Sequence, residues 1–103
     1  MQTIQLVLKF PKDYPFQYTL GIIQNIIATK GNPNWNISKP MDIQVKYETD
    51  YQTDIEEGYF WVTVDYILGD SYDIRSAEWD TIFEIIDDYI EHTNIYLFVG
   101  MVK

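Results

Sequence analysis

The sequence contains no cysteine. Disulfides, thiolate metal sites and cysteine nucleophiles are therefore excluded, and stability must come from the core. Histidine occurs once, at His92, so an imidazole-based metal cluster is excluded too. No Ser nucleophile motif accompanies it to suggest a triad. Basic residues are scarce: seven Lys and Arg stand against 16 Asp and Glu, for a formal net charge of -9. Such a surface repels phosphate backbones and anionic membranes and attracts basic partners. Glycine-rich phosphate loops and HExxH are missing. No apolar run is long enough to cross a bilayer. The opening MQTIQLVLKF alternates instead of joining a basic stretch to an apolar block, so no signal peptide is expected. The expectation is a cytoplasmic protein, in the host cytoplasm if it is viral. The sequon at Asn36–Ser38 carries no weight without a secretion signal.

What remains is a chain rich in apolar and aromatic side chains. Its 103 residues fit one domain, residues 1–103. At 47% hydrophobic and 17% aromatic it folds, unlike a disordered acidic tail. Charge is uneven. Residues 1–47 hold five lysines and two acids, whereas residues 48–103 hold fourteen acids against Arg75 and Lys103.

Periodicity orders the chain. Residues 3–10 alternate, with Ile4, Leu6, Leu8 and Phe10 on one side, which predicts a strand. Residues 16–30 switch to helical spacing through Phe16, Leu20, Ile23 and Ile27, with Asp13 and Pro15 before them and Gly31 as the expected C-terminal cap. A loop over 31–40 carries Trp35, which could fold over a sheet face. Residues 41–48 alternate through Met41, Ile43, Val45 and Tyr47. Residues 58–68 form a longer strand with Phe60, Val62, Val64 and Tyr66 inward. Residues 77–92 are an amphipathic helix with Trp79, Ile82, Phe83, Ile86 and Ile90 on one side and Ser76 as the expected N-cap. Residues 94–102 complete the set as a strand. The order βαββαβ predicts an α+β, ferredoxin-like sandwich: a four-stranded antiparallel sheet ordered 4-1-3-2, with both helices on one face. The alternative is another strand order.

Two helices on one face leave the other face open. Alternation places Val7, Tyr59 and Trp61 there, with Tyr96 and Phe98 beside them. The run Glu57-Gly58-Tyr59-Phe60-Trp61-Val62 resembles the third-strand motif of the RNA recognition motif family, a basic residue followed by Gly, aromatic, small, aromatic and aliphatic. The resemblance implies that Tyr59 and Trp61 stack bases. It departs from the motif at Glu57, where a cation is required, at Phe60, where a small residue is, and at Val7, where a further ring would help. Each stacked base contributes about 1–3 kcal/mol, but a polyanion also relies on several cationic contacts. Glu48, Glu56, Glu57 and Asp65 offset Lys9 and Lys46 here, so direct nucleic-acid binding is not expected. Burial of the face against a second copy, as a homodimer, is the simpler use of it.

The second helix carries Asp80, Glu84, Asp87 and Glu91 at steps of four, three and four, with Asp88 alongside and Asp70, Asp73 and Glu78 ahead. That spacing lines the carboxylates along a stripe ~16 Å long at 1.5 Å per residue. Like charges at these steps destabilise a helix slightly, and acids at its C-terminal end oppose the dipole. A second acidic group, Asp50, Asp54, Glu56 and Glu57, lies on the hairpin. The profile is similar in kind to the small acidic inhibitors of phages, archaeal viruses and mobile elements, which block restriction enzymes, CRISPR effectors, glycosylases or polymerases. That likeness implies a non-enzymatic protein that imitates nucleic acid and occupies a basic surface of a host nucleic-acid-binding protein. The alternative is a small homodimeric structural or ligand-binding module using the open aromatic sheet. A solubilising acidic face is the plainer meaning of the stripe.

No catalytic residue, metal site or cofactor is expected. Asp65 as a general base beside Tyr59 and Trp61, and a hard-cation site at Asp50, Asp54, Glu56 and Glu57, are the weaker options. The latter lacks EF-hand spacing and its central glycine. His92 reads as a cation at a helix end.

Overall fold

The structure, a computed structural model, describes residues 2–31, 42–53, 55–70 and 74–103. Met41, Trp35, Asp54 and Asp73 lie outside the described residues.

Alternation builds the sheet. In β1 (Thr3–Pro11) and β3 (Tyr59–Leu68) every second side chain is buried. Ile4, Leu6, Leu8 and Phe10 pack beside Phe60, Val62, Val64, Tyr66 and Leu68. These two strands are central. β2 (Ile43–Asp50) flanks β3, and β4 (Tyr96–Val102) flanks β1, all antiparallel, in the order β2-β3-β1-β4. This is the ferredoxin-like βαββαβ order predicted from the sequence.

Both helices cover the even-numbered face of β1 and β3. Helix α1 (Phe16–Ala28) buries Phe16, Thr19, Leu20, Ile23, Ile27 and Ala28. Helix α2 (Ser76–Glu91) buries Trp79, Ile82, Ile86 and Ile90. The Tyr66 hydroxyl crosses the layer and donates to the Leu20 carbonyl of α1 at 2.8 Å. Burial pushes that phenol's pKa up, so it remains a donor. Phe83 of α2 fills the space over Gly100 of β4, where a Cβ would approach it to 3.0 Å. One end of the core is aromatic: the Phe10 ring centroid lies 5.6 Å from Tyr14, 6.0 Å from Phe16 and 5.7 Å from Phe60.

Element ends differ from the sequence reading for identifiable reasons. Helix α1 stops at Ala28, not 30. Lys30, not Gly31, is the first residue past the cap, with φ 52. Its N–H donates to Ile27 at 3.0 Å, and the N–H of Gly31 donates to Ile26 at 2.9 Å. That is a Schellman closure in which a lysine takes the left-handed position. Helix α2 starts at Ser76 itself, so Arg75 is the cap. The Arg75 N–H donates to Glu78 Oε1 at 3.3 Å, and Lys30 Nζ reaches the same carboxylate at 3.2 Å. β2 begins at Ile43 and runs to Asp50; on this edge strand Tyr47 meets the Phe16 ring of α1 edge-on at 5.3 Å yet stays exposed, although it shares a face with buried Ile43.

The Glu78 contacts have a pH consequence. The Arg75 N–H, and then the Lys30 side chain, hold the Glu78 carboxyl below the usual range. A depressed pKa supports the fold while the unfolded chain's carboxylate is ionised, and that support is lost as pH falls through the folded value. Glu78→Gln removes the titrating group. Its melting temperature is expected to drop less than that of the parent between about pH 5 and pH 3, in thermal melts followed by circular dichroism.

Candidate functional site

Helix α2 presents Asp80, Glu84, Asp87, Asp88 and Glu91 to solvent along its outer face. The 4-3-4 spacing places them there because Trp79, Ile82, Ile86 and Ile90 take the inner face. Glu84, Asp87, Asp88 and Glu91, with Thr81 and Ile85, line a shallow depression of about 480 Å³. Two cations at the start of α2 are engaged elsewhere: Lys30 and Arg75 approach Glu78 at 3.2 and 3.9 Å. Asp88 meets His92 Nε2 at 3.8 Å at the helix end. Among the described residues, Asp80, Glu84, Asp87 and Glu91 have no ion-pair partner. Nor, among those residues, do three carboxylate or imidazole groups converge as a metal site.

The hairpin carboxylates behave differently. Asp50 accepts from the N–H groups of Gln52 and Thr53 at 2.9 and 3.1 Å and from Thr53 Oγ1 at 2.6 Å. The Thr53 hydroxyl bond and these two backbone bonds hold its carboxyl below the usual range. Asp50 is thus spent on its own turn. Glu57 lies 3.7 Å from Lys9, and Glu56 is exposed.

The sheet face opposite the helices is set by register. Across the sheet, Asp50, Trp61, Lys9 and Tyr96 form one row; Glu48, Thr63, Val7 and Val99 the next; Lys46, Asp65, Gln5 and Met101 a third. The expected residues come together. Tyr59 meets Tyr96 edge-on at 6.0 Å, and Trp61 meets Phe98 edge-on at 4.9 Å. Lys9 Nζ sits 4.7 Å from the Tyr59 ring and 5.7 Å from the Trp61 ring, a cation–π cage filled by the chain's own lysine. Val7 lies beside them, half-buried. A shallow groove of about 310 Å³ runs between these rings and the acids, lined by Val7, Glu48, Asp50, Trp61 and Thr63 among others.

Sequence alternation missed Val99 and Met101. The pairing slips as β4 steps from Leu97 to Val99, leaving Phe98 as an extra, bulged residue. Phe98 and Val99 then share the open face, and Met101 follows. The signal available was composition: YLFVGMV has no polar side chain to mark an outside. Asp65 is held apart from the rings. It accepts from Gln5 Nε2 at 3.0 Å, opposite Lys46, four residues or roughly 13 Å along the strand from Trp61.

Among the described residues no helix is long and apolar enough to cross a membrane. Comparison with protein-family models, with curated proteins and with solved structures gave no match.

Proposed function

We propose that this chain is a non-enzymatic acidic binding protein that lays α2 against a basic, nucleic-acid-binding surface of a host protein, as an inhibitor encoded by a virus or mobile element. The supporting observation is the line of exposed carboxylates Asp80, Glu84, Asp87 and Glu91, without counter-ions among the described residues. Charges on this face recur at about 5–6 Å, a spacing suited to cationic side chains arranged for successive phosphates. Lys30 and Arg75 approach Glu78 instead, at the helix start, where an acid already suits the dipole.

The test is a pull-down from host lysate in low salt, eluted with a DNA or RNA duplex. The parent protein is expected to retain nucleic-acid-binding proteins that the duplex displaces. Reversal of Asp80, Glu84, Asp87 and Glu91 to lysine is expected to abolish their capture while leaving the far-ultraviolet dichroism unchanged. Capture of the same proteins by the folded, reversed variant would sink the proposal.

A further inference from the structure

We infer that the sheet face opposite the helices pairs with the same face of a second copy of this chain, across a two-fold axis near Trp61 and Phe98. This goes beyond the α2 reading and does not rest on it, because the stripe lies on the other side of the sheet.

The distribution of charge points to the occupant. In a chain of net charge -9, the strand residues facing this side carry Lys9 and Lys46 against Glu48, Asp50 and Asp65, and Glu57 reaches Lys9 from the turn before β3, so among the described residues the face carries only a small part of the negative charge. The strand acids lie on β2 and β3, and among the described residues the positions of β1 and β4 that face this side carry none. A basic partner finds nothing there to recognise, and a polyanion meets the β2 acids. A second copy meets a weakly charged face, with both acidic helix layers turned outward and as far apart as the fold allows.

Area supports the same occupant. Tyr96 is 54%, Phe98 68%, Val99 38% and Met101 41% exposed. With Tyr59 and Trp61 they present roughly 500 Å² of mostly apolar surface, near the upper range for a solvated patch. Two copies hide on the order of 1,000 Å² in total, the size at which specific interfaces begin. The bulge contributes directly, since it turns Phe98 and Val99 to the same side and so widens the patch. The Lys9 ammonium, the one cation among these rings in the described residues, is already matched by Glu57 at 3.7 Å.

Sedimentation velocity from micromolar to near-millimolar concentration tests this. The parent is expected to pass reversibly from monomer to dimer. Phe98→Lys is expected to raise the dissociation constant roughly 100-fold, because an isologous contact carries the change twice. Tyr18→Lys, on exposed α1, is expected to leave it unchanged. A second arm uses the lack of native cysteine. Phe98→Cys, close to the axis, is expected to form a disulfide-linked dimer on mild oxidation much faster than Tyr18→Cys. A parent that stays monomeric throughout overturns the inference. So does cross-linking at 98 no faster than at 18. Association that survives Phe98→Lys yet disappears in Val102→Pro overturns it too, because it places the contact on the β4 edge.

Discussion

Phe10→Ala is expected to destabilise the domain by about 3–5 kcal/mol, as for other buried aromatic truncations. Phe10 is fully buried near the end of β1 and contacts Tyr14, Phe16 and Phe60. Those three rings come from the turn, from the start of α1 and from β3, so no single element can shift to fill the void. Phe60 is itself held by Tyr51, 5.0 Å away and exposed, so collapse from that side would uncover the core to water. A domain of this size has about 5–15 kcal/mol of total stability, so the variant is expected to lose roughly a fifth or more of it. Urea denaturation measures this as a fall in midpoint at nearly constant slope. Tyr18→Ala, on the exposed side of α1, is the control and is expected to change stability by no more than about 0.5 kcal/mol. A loss below about 1 kcal/mol at Phe10 would mean that the aromatic end of the core is not packed as described.

The features legible in the sequence are those that depend on neighbours a few residues away. Strict alternation in β1 and β3 set their inner and outer faces, and two central strands with two crossovers left only a short menu of orders. The 4-3-4 spacing was enough to align the carboxylates of α2. Other features depend on partners distant in sequence. Lys30 reaches Glu78 from just beyond the C-terminal end of α1, which removes Glu78 from the uncompensated set. Lys9 enters the Tyr59–Trp61 cage from another strand, so rings that resembled a base-stacking platform carry a cation already. The bulge at Phe98 follows from fitting β4 to β1, and seven apolar or glycine residues in a row give alternation nothing to read. Asp50 looked like part of an acidic surface because a carboxylate that closes a turn has the same letter as a solvated one.

The α2 stripe separates function from stability because the two are expected to respond with opposite signs. Asp80–Glu84, Glu84–Asp88 and Asp87–Glu91 are like-charged pairs at i,i+4, and Glu84–Asp87 and Asp88–Glu91 are at i,i+3. Each disfavours the helix by about 0.2–0.5 kcal/mol, and Glu91 sits in the last turn, where the dipole favours a cation. In the double variant Glu84→Lys, Glu91→Lys all five pairs become attractive, and a lysine stands at the C-terminal end. The isolated domain is expected to gain about 1–2 kcal/mol, seen as a rise of roughly 5–10 °C in melting temperature. The gain is expected to shrink in high salt, since every pair is solvent-exposed. The same variant interrupts the run of negative charge and is expected to lose at least about tenfold in affinity for the proposed basic partner. A stripe that only solubilises the protein predicts the stability gain without the loss of binding. A variant that is more stable and still captures the partner fully would assign the stripe to solubility. One that is more stable and no longer binds would show that the helix carries its repulsion for the sake of a contact.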